Sequence, residues 1–555
     1  MPAEFQLRVN AIDLFANTIA PAVLHVAEGR IRAIEPTGAT APDPSLPYAL
    51  PGFVDAHVHI ESSLLIPAEF ARLAVVHGTV ATVSDPHEIG NVLGVAGVEF
   101  MLESGRQVPF KFCFGAPSCV PATPFETAGA EITAQDIEHL FQNPEIGYLA
   151  EMMNWPGVLN RDAGVMEKIQ LAAQYGRPVD GHAPGLHGAD AQRYAEAGIS
   201  TDHECFTAEE ALDKLAVGMK ILIREGSAAR NFEALIDLLP EHHEYLMFCS
   251  DDKHPDTLVL GHINQLVQRA VARGQDVLKV LRVACRNPVE HYRLPVGLLR
   301  VGDPADFIVV DDLTDFRVRQ TYLNGELVAE NGATLIASVP GRIVNNFHAR
   351  PVSPTDFQLP VPNNEKQTTK NEVRVIECFD GQLITARHDV PARVENGLVL
   401  PDVAQDILKL TVVNRYHAAP PAVAFIQGFG LKHGALASSV GHDSHNITAV
   451  GCDDESIARA VNLVMEARGG LAAVGPDGQQ LLLPLPVAGL MSEQDGYRVA
   501  DAYAAIDALS RQLGSPLGAP FMTLSFMALL VIPSLKLSDK GLFDGEAFRF
   551  VEAVV

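Results

Sequence analysis

In the stretch PGFVDAHVHIESS, Pro51 to Ser63, two histidines stand one residue apart at the end of an apolar run, and a carboxylate and two hydroxyls follow them. Alternate side chains of a β-strand share a face, so His57 and His59 point the same way and two imidazoles can meet one ion. An isolated pair at this spacing is equally two solvated or hydrogen-bonded rings at a strand end. The remainder of the chain decides between these readings.

Other short apolar runs end in residues of the same chemical kind. AEMM carries Glu151, DGHA ends in His182, STDHE holds His203, CSDD closes on Asp251 and Asp252, and VSDPHE brings Asp85, His87 and Glu88. Each has a structural reading by itself: a buried ion pair for Glu151, core rings for His182 and His203, helix caps for Asp85, Asp251 and Asp252. Together they form a nitrogen and oxygen donor set that suits Zn²⁺, Mn²⁺ or Fe²⁺. A bridging carboxylate in such a set suits two ions about 3.5–4 Å apart.

Eight runs must position these residues: GFVDAHVH, TVATVSD, FKFCFGA, IGYLAEMM, RPVDGHA, GISTDHE, MKILIRE and YLMFCSDD. Helix-like stretches separate them, two of which finish on Gly176 and Gly198, the residue that a left-handed C-terminal cap favours. Eight alternating repeats predict an α/β fold built on a (β/α)8 TIM-type barrel, whose chemistry sits at the C-terminal strand ends. Ahead of the barrel, alternation around Glu28-Gly29 predicts a hairpin. ADFIVVDD and TYLNGELVAENG, with Asn324-Gly325, predict β structure after it.

The expected division is therefore 1–50 and 293–350 as halves of a composite small β domain and 51–292 as the barrel. A linker at 351–372 and an additional C-terminal α/β domain at 373–555 complete it. The chain has 555 residues, 47% of them hydrophobic and 20% charged, which reads as a globular protein of several units. Its 41 basic against 68 acidic residues leave a formal charge of −27, which repels nucleic acid and anionic lipid. Seven scattered cysteines without a CxxC pair exclude a cysteine zinc site and a disulfide framework. The N-terminal segment lacks a secretory pattern and the apolar run from Phe521 is broken by Pro533, so the expectation is a cytoplasmic protein with no membrane span.

PGFVDAHVHIESSLL, VSDPHEIGNVLG, DGHAPGL, STDHE, CSDDKHPDTL, GLLRVGDPADFIVVDD and SVGHDSHN together resemble the amidohydrolase superfamily, and within it the adenine deaminases. The resemblance implies a binuclear centre, with His57 and His59 on one metal, Glu151 bridging, and His182 and His203 on the second. Asp251 would stand beside the bound water as ligand and proton shuttle, with one oxygen free. Mn²⁺ or Fe²⁺ is favoured and Zn²⁺ possible. Strand four has Glu151 where many amidohydrolases carry a modified lysine, which fits this branch. The implied reaction is attack of metal-bound hydroxide on C6 of adenine, giving hypoxanthine and ammonia in purine salvage, by a homo-oligomer, a dimer.

Glu88 is expected to serve the purine ring as proton donor or hydrogen-bond partner, with Asp85, His87 and Asp252 as further substrate contacts. Asn91 is expected in a turn, and Trp155 to pack. The Ser438–Asn446 cluster either closes over the barrel mouth or is a self-satisfied turn. The competing readings are an amidohydrolase acting on another aminated heterocycle or cyclic amide, and a metal-binding barrel without catalysis.

Overall fold

The protein is described by a computed structural model covering residues 4–361 and 372–555. Four strands open the chain: β1 (Phe5–Asp13), β2 (Thr18–Ala27), β3 (Arg30–Pro36) and β4 (Tyr48–Pro51). The β2–β3 turn places Glu28 and Gly29 at φ 52° and 74°, the left-handed pair that a two-residue hairpin needs. Eight strands then form the barrel. They are β5 (Phe53–Val58), β6 (Thr79–Ser84), β7 (Lys111–Ala116), β8 (Ile146–Met152), β9 (Val179–Gly181), β10 (Thr201–Asp202), β11 (Lys220–Arg224) and β12 (Leu246–Cys249).

Strands β5 to β9 pair in parallel, as do β10 to β12. Parallel bridges from Val179 to Ile199 and from Val58 to Asp251 join the two arcs and close the (β/α)8 barrel. Covered on both faces, β5 and β6 are buried along their whole lengths, polar residues such as Asp55, His57 and Thr82 included.

After the barrel come β13 (Phe307–Val310), β14 (Val318–Leu323), β15 (Glu326–Glu330) and β16 (Ala333–Thr334). Antiparallel pairing of β13 with β4, Phe307 opposite Pro51, joins the two ends of the barrel segment into one sheet of order β16-β15-β14-β13-β4-β1-β2-β3. The C-terminal unit is built on another eight-stranded sheet, in which every pair is antiparallel except Glu372–Cys378 with Ala422–Gln427.

Part of the expected linker is packed structure. Phe357 is fully buried and Leu359–Pro360 pair with Leu398–Val399, because an apolar residue every few positions lets a Pro-rich passage be pinned. Residues 362–371 of that passage lie outside the described residues. One hydrophobic core runs without a break from barrel residues such as Val58, Phe70 and Tyr148 to Leu485, Tyr503, Phe521 and Leu537 of the C-terminal unit. Among the described residues no helix is long and apolar enough to cross a membrane.

Candidate active site

The seam between the first and last barrel strands is fixed by a buried polar chain. Asp55 on β5 accepts from the Ser250 amide at 2.9 Å and from the Ser250 hydroxyl, and faces His262 Nε2 at 2.7 Å. His262 Nδ1 in turn meets Thr79 Oγ1 at 2.7 Å. Beyond the seam the Asp251 amide donates to His57 O at 2.9 Å and the His59 amide to Asp251 O at 3.2 Å. These bonds hold Asp251 at φ 54°, a left-handed conformation costing a non-glycine residue roughly 1–3 kcal/mol. A strained backbone at a strand end delivers the carboxylate to the barrel mouth.

There the ring nitrogens converge. His57 Nε2 lies 3.2 Å from His59 Nε2, and Asp251 Oδ1 is 3.5 Å from the first and 3.2 Å from the second. Glu151 stands at the centre: Oε1 is 3.5 Å from His59 Nε2, and Oε2 is 2.8 Å from His182 Nδ1 and 3.1 Å from His203 Nε2. The His57 and His203 rings stack at 4.1 Å. Donor atoms about 2.0–2.2 Å from a common ion lie about 3 Å from each other, so these spacings fit metal coordination. His57 Nδ1 and His182 Nε2 are buried without a hydrogen-bond partner. The donor set and its spacing suit a metal centre.

The charges of the cluster are mutually dependent. Burial pushes Glu151 toward its neutral form, but His182 and His203 outweigh it and hold the carboxyl well below its usual range. Burial likewise opposes protonation of His182, and Glu204 and Glu151 raise its pKa to about 9. Imidazolium thus supplies the positive charge that buried carboxylates require, the part a divalent cation takes when bound.

The structure differs from the sequence-based expectation at several residues. The second oxygen of Asp251 is not free: Arg224 Nη1 donates to Oδ2 at 2.6 Å while the same guanidinium clasps Glu204. Asp85 faces backbone amides. Its carboxylate accepts from the backbone amides of His87 (3.0 Å) and Glu151 (3.2 Å), so it splints strand ends and does not line the cavity. His87 does line the cavity, yet it belongs with the ligand cluster, Nδ1 lying 3.4 Å from Glu151 Oε1. Asn91 is buried inside the helix His87–Leu93, its Nδ2 donating to His87 O, rather than in a turn. Trp155 packs against the core away from the cavity.

The Ser438–Asn446 loop is part of the site. His442 Nδ1 and His445 Nε2 contact the two oxygens of Glu88, and Asp443 Oδ1 lies 3.5 Å from His87 Nε2. Asp252 lines the cavity, accepts from the Ser62 hydroxyl and is 3.9 Å from His442 Nε2. Met153, Leu383, Phe526 and Leu529 supply apolar walls, three of them from the C-terminal unit. The barrel therefore contributes the donors and the C-terminal unit the roof.

Sequence reasoning overlooked Glu204 and Arg224. Glu204 follows His203 directly in STDHE. Arg224 ends β11, the one strand of the last four whose end residue was not read, so applying the strand-end rule to every strand finds both.

Comparison with known proteins adds a second line of argument. Residues 48–328 match the model of the amidohydrolase family, and residues 382–549 that of the adenine deaminase C-terminal domain. An adenine deaminase of Salinibacter ruber is 56% identical over 557 residues, covering 100% of both chains. One from Sulfurovum sp. is 54% identical over 99% of both. One from Methanosarcina barkeri is 52% identical over 91% of this chain and 92% of its own.

Proposed function

The chain belongs to the adenine deaminases of the amidohydrolase family, and from that premise we propose how its residues hydrolyse adenine to hypoxanthine and ammonia. His57, His59, Glu151 and Asp251 would hold one divalent ion, and Glu151, His182 and His203 a second. Mn²⁺ or Fe²⁺ is favoured, with Zn²⁺ the third candidate, since carboxylate and imidazole donors without thiolate suit the harder ions. When bound, the pair supplies the charge that lets a water molecule lose its proton near neutrality.

Asp251 takes that proton and passes it to the departing amino group, acting as base and then acid. Protonation discharges its pair with Arg224, which keeps Glu204 as partner, so no buried cation is stranded. Glu88, flanked by His442 and His445, shares a proton with them at the roof and presents it to the purine ring as negative charge develops on the ring nitrogens. Asp252, steadied by Ser62, is the remaining polar contact for the purine edge. Phe526, Leu529 and Leu383 stack on the base and exclude water.

The observation that carries this reading is the convergence of four imidazoles from three strand ends on Glu151 and Asp251, within 2.8–3.5 Å. Adenine incubated with Mn²⁺-loaded protein is expected to give hypoxanthine and one ammonia per adenine, read by ultraviolet absorption beside an ammonia assay. Asp251→Asn should lower kcat by about 10²–10⁴ with the fold intact. Undiminished turnover in that variant would sink the mechanism.

The units 1–50 with 293–350, 51–292 and 373–555 are assigned as frame, donor barrel and roof. The free, mostly buried cysteines support a reducing, cytoplasmic setting. A homodimer is supported by the exposed Phe548 and Phe550 beside Phe125, and light scattering tests it. The acidic charge favours neither nucleic acid nor membrane as partner.

A further inference from the structure

Two further cavities are linked to the active site by shared lining residues. The first is walled by His442, which also walls the active-site cavity, and by Ser62, Ser438 and Ser525 among apolar neighbours. It measures about 10 Å³, against about 30 Å³ for the active-site cavity, on the order of the space one water-sized molecule needs. His254 also lines it. The same imidazole lines a cleft of about 330 Å³ between the barrel and the C-terminal unit.

The cleft gathers Asp256, Asp380 and Asp507. Asp507 is only 5% exposed, and while Oδ2 pairs with Arg511 at 2.5 Å, Oδ1 has no partner. A buried carboxylate oxygen without a partner, on a residue that lines the cleft, asks for a donor, and an ammonium ion carries four. Polar pairs stand along the way: Ser62 Oγ donates to Asp252 in the active site, the His442 amide donates to Ser525 Oγ at 3.3 Å, and His254 Nδ1 meets Tyr503 Oη at 2.7 Å. Burial pushes His254 down to about 3, so its ring is neutral and does not repel a cation forming beyond it.

We propose that ammonia leaves by this route, past His442 and His254 into the acidic cleft, separately from the mouth that admits the purine. The inference rests on the deaminase reading and concerns its second product. Adenine and water give hypoxanthine and neutral NH₃. The NH₃ crosses the small cavity and takes a proton from solvent in the cleft, where Asp507, Asp256 and Asp380 hold it as NH₄⁺. The carboxylates at the outer end draw the small product outward.

Leu471 lines the small cavity and takes no part in the chemistry, so the test is Leu471→Phe in the metal-loaded full chain. The expected result is a kcat lowered on the order of tenfold together with a new rapid-quench burst of one hypoxanthine per site, because release now limits turnover. An unchanged kcat overturns the proposal. So does a fall without a burst, which would make the passage an inlet for water. A second measurement needs no change in the core: ammonium chloride, against sodium chloride, should inhibit the wild type without competing with adenine, and Asp507→Asn with Asp256→Asn should weaken that inhibition several-fold. Competitive inhibition, no inhibition, or equal inhibition of both proteins overturns it. Failure of the deaminase reading shows itself separately, as wild type that makes no hypoxanthine.

Discussion

Arg224 divides one guanidinium between Glu204 and Asp251 at a site 2% exposed, and both acids depend on it. Burial alone would push these carboxyls up, yet Arg224, together with His182 and His203 for Glu204 and with His57, His59 and His203 for Asp251, outweighs it and holds both below their usual range. Arg224→Met leaves two buried charges uncompensated, a change that costs about 3–5 kcal/mol when one partner of a buried pair is lost. A fall in Tm of the metal-free protein measures it. Arg224→Lys should recover part of the loss, since it restores charge without the fork. Glu88 makes a different prediction, because its partners His442 and His445 come from the roof and not from the barrel. Glu88→Gln keeps the shape and removes the shared charge, so kcat/KM should fall about 10²-fold while two metals per chain remain, read by elemental analysis beside initial rates. Loss of metal along with activity would move Glu88 into the ligand set.

Strand ends were the most legible elements, since His57, His59, Glu151, His182, His203 and Asp251 follow from period-two alternation and the barrel rule. Even β9 and β10, three and two residues long, lie within the expected runs RPVDGHA and GISTDHE. The roof was not legible in the same way. Ser438–Asn446 reads as a polar loop, and only contacts more than 350 residues apart in sequence show His442 and His445 meeting Glu88. Lys536 was silent for the same reason. It lies on the strand Leu535–Ser538, fully buried, and Nζ donates to Leu383 O at 2.6 Å and Phe526 O at 2.9 Å, tying together two segments that wall the cavity. Burial lowers its pKa to about 7 from an ordinary 10.5. The folded state therefore binds fewer protons than the unfolded one between these values, so the stability is full above 10.5 and is lost as pH falls through 7. Lys536→Met removes this dependence. The wild-type minus variant difference in urea midpoint should grow between pH 7 and pH 10, and a difference flat across that range would show the amine to be charged when folded.

At the scale of the whole molecule, the donors and the roof share one continuous core, with Val58 and Tyr148 of the barrel in the same cluster as Tyr503, Phe521 and Leu537. A sequence division into units predicts separable parts, but cores that merge this way unfold together. The helix Gly496–Gln512 shows how: its first amide donates to barrel Glu69 Oε2 at 2.8 Å, Arg72 reaches Asp495 at 2.8 Å, and Tyr503 meets His254. With no ion bound, the buried acids and imidazoles of the candidate metal site must neutralise one another at the expense of desolvated charge. Ions that bind only the folded state add RT ln(1 + [L]/Kd), about 4 kcal/mol for each site held at a thousandfold excess over Kd. Chelation should therefore lower Tm by several degrees, and calorimetry should show one transition moving as a unit, with barrel and C-terminal unit melting at the same temperature in both states. A chelated protein in which one transition shifts and another stays fixed would separate the roof from the barrel, and with it the argument that both build a single site.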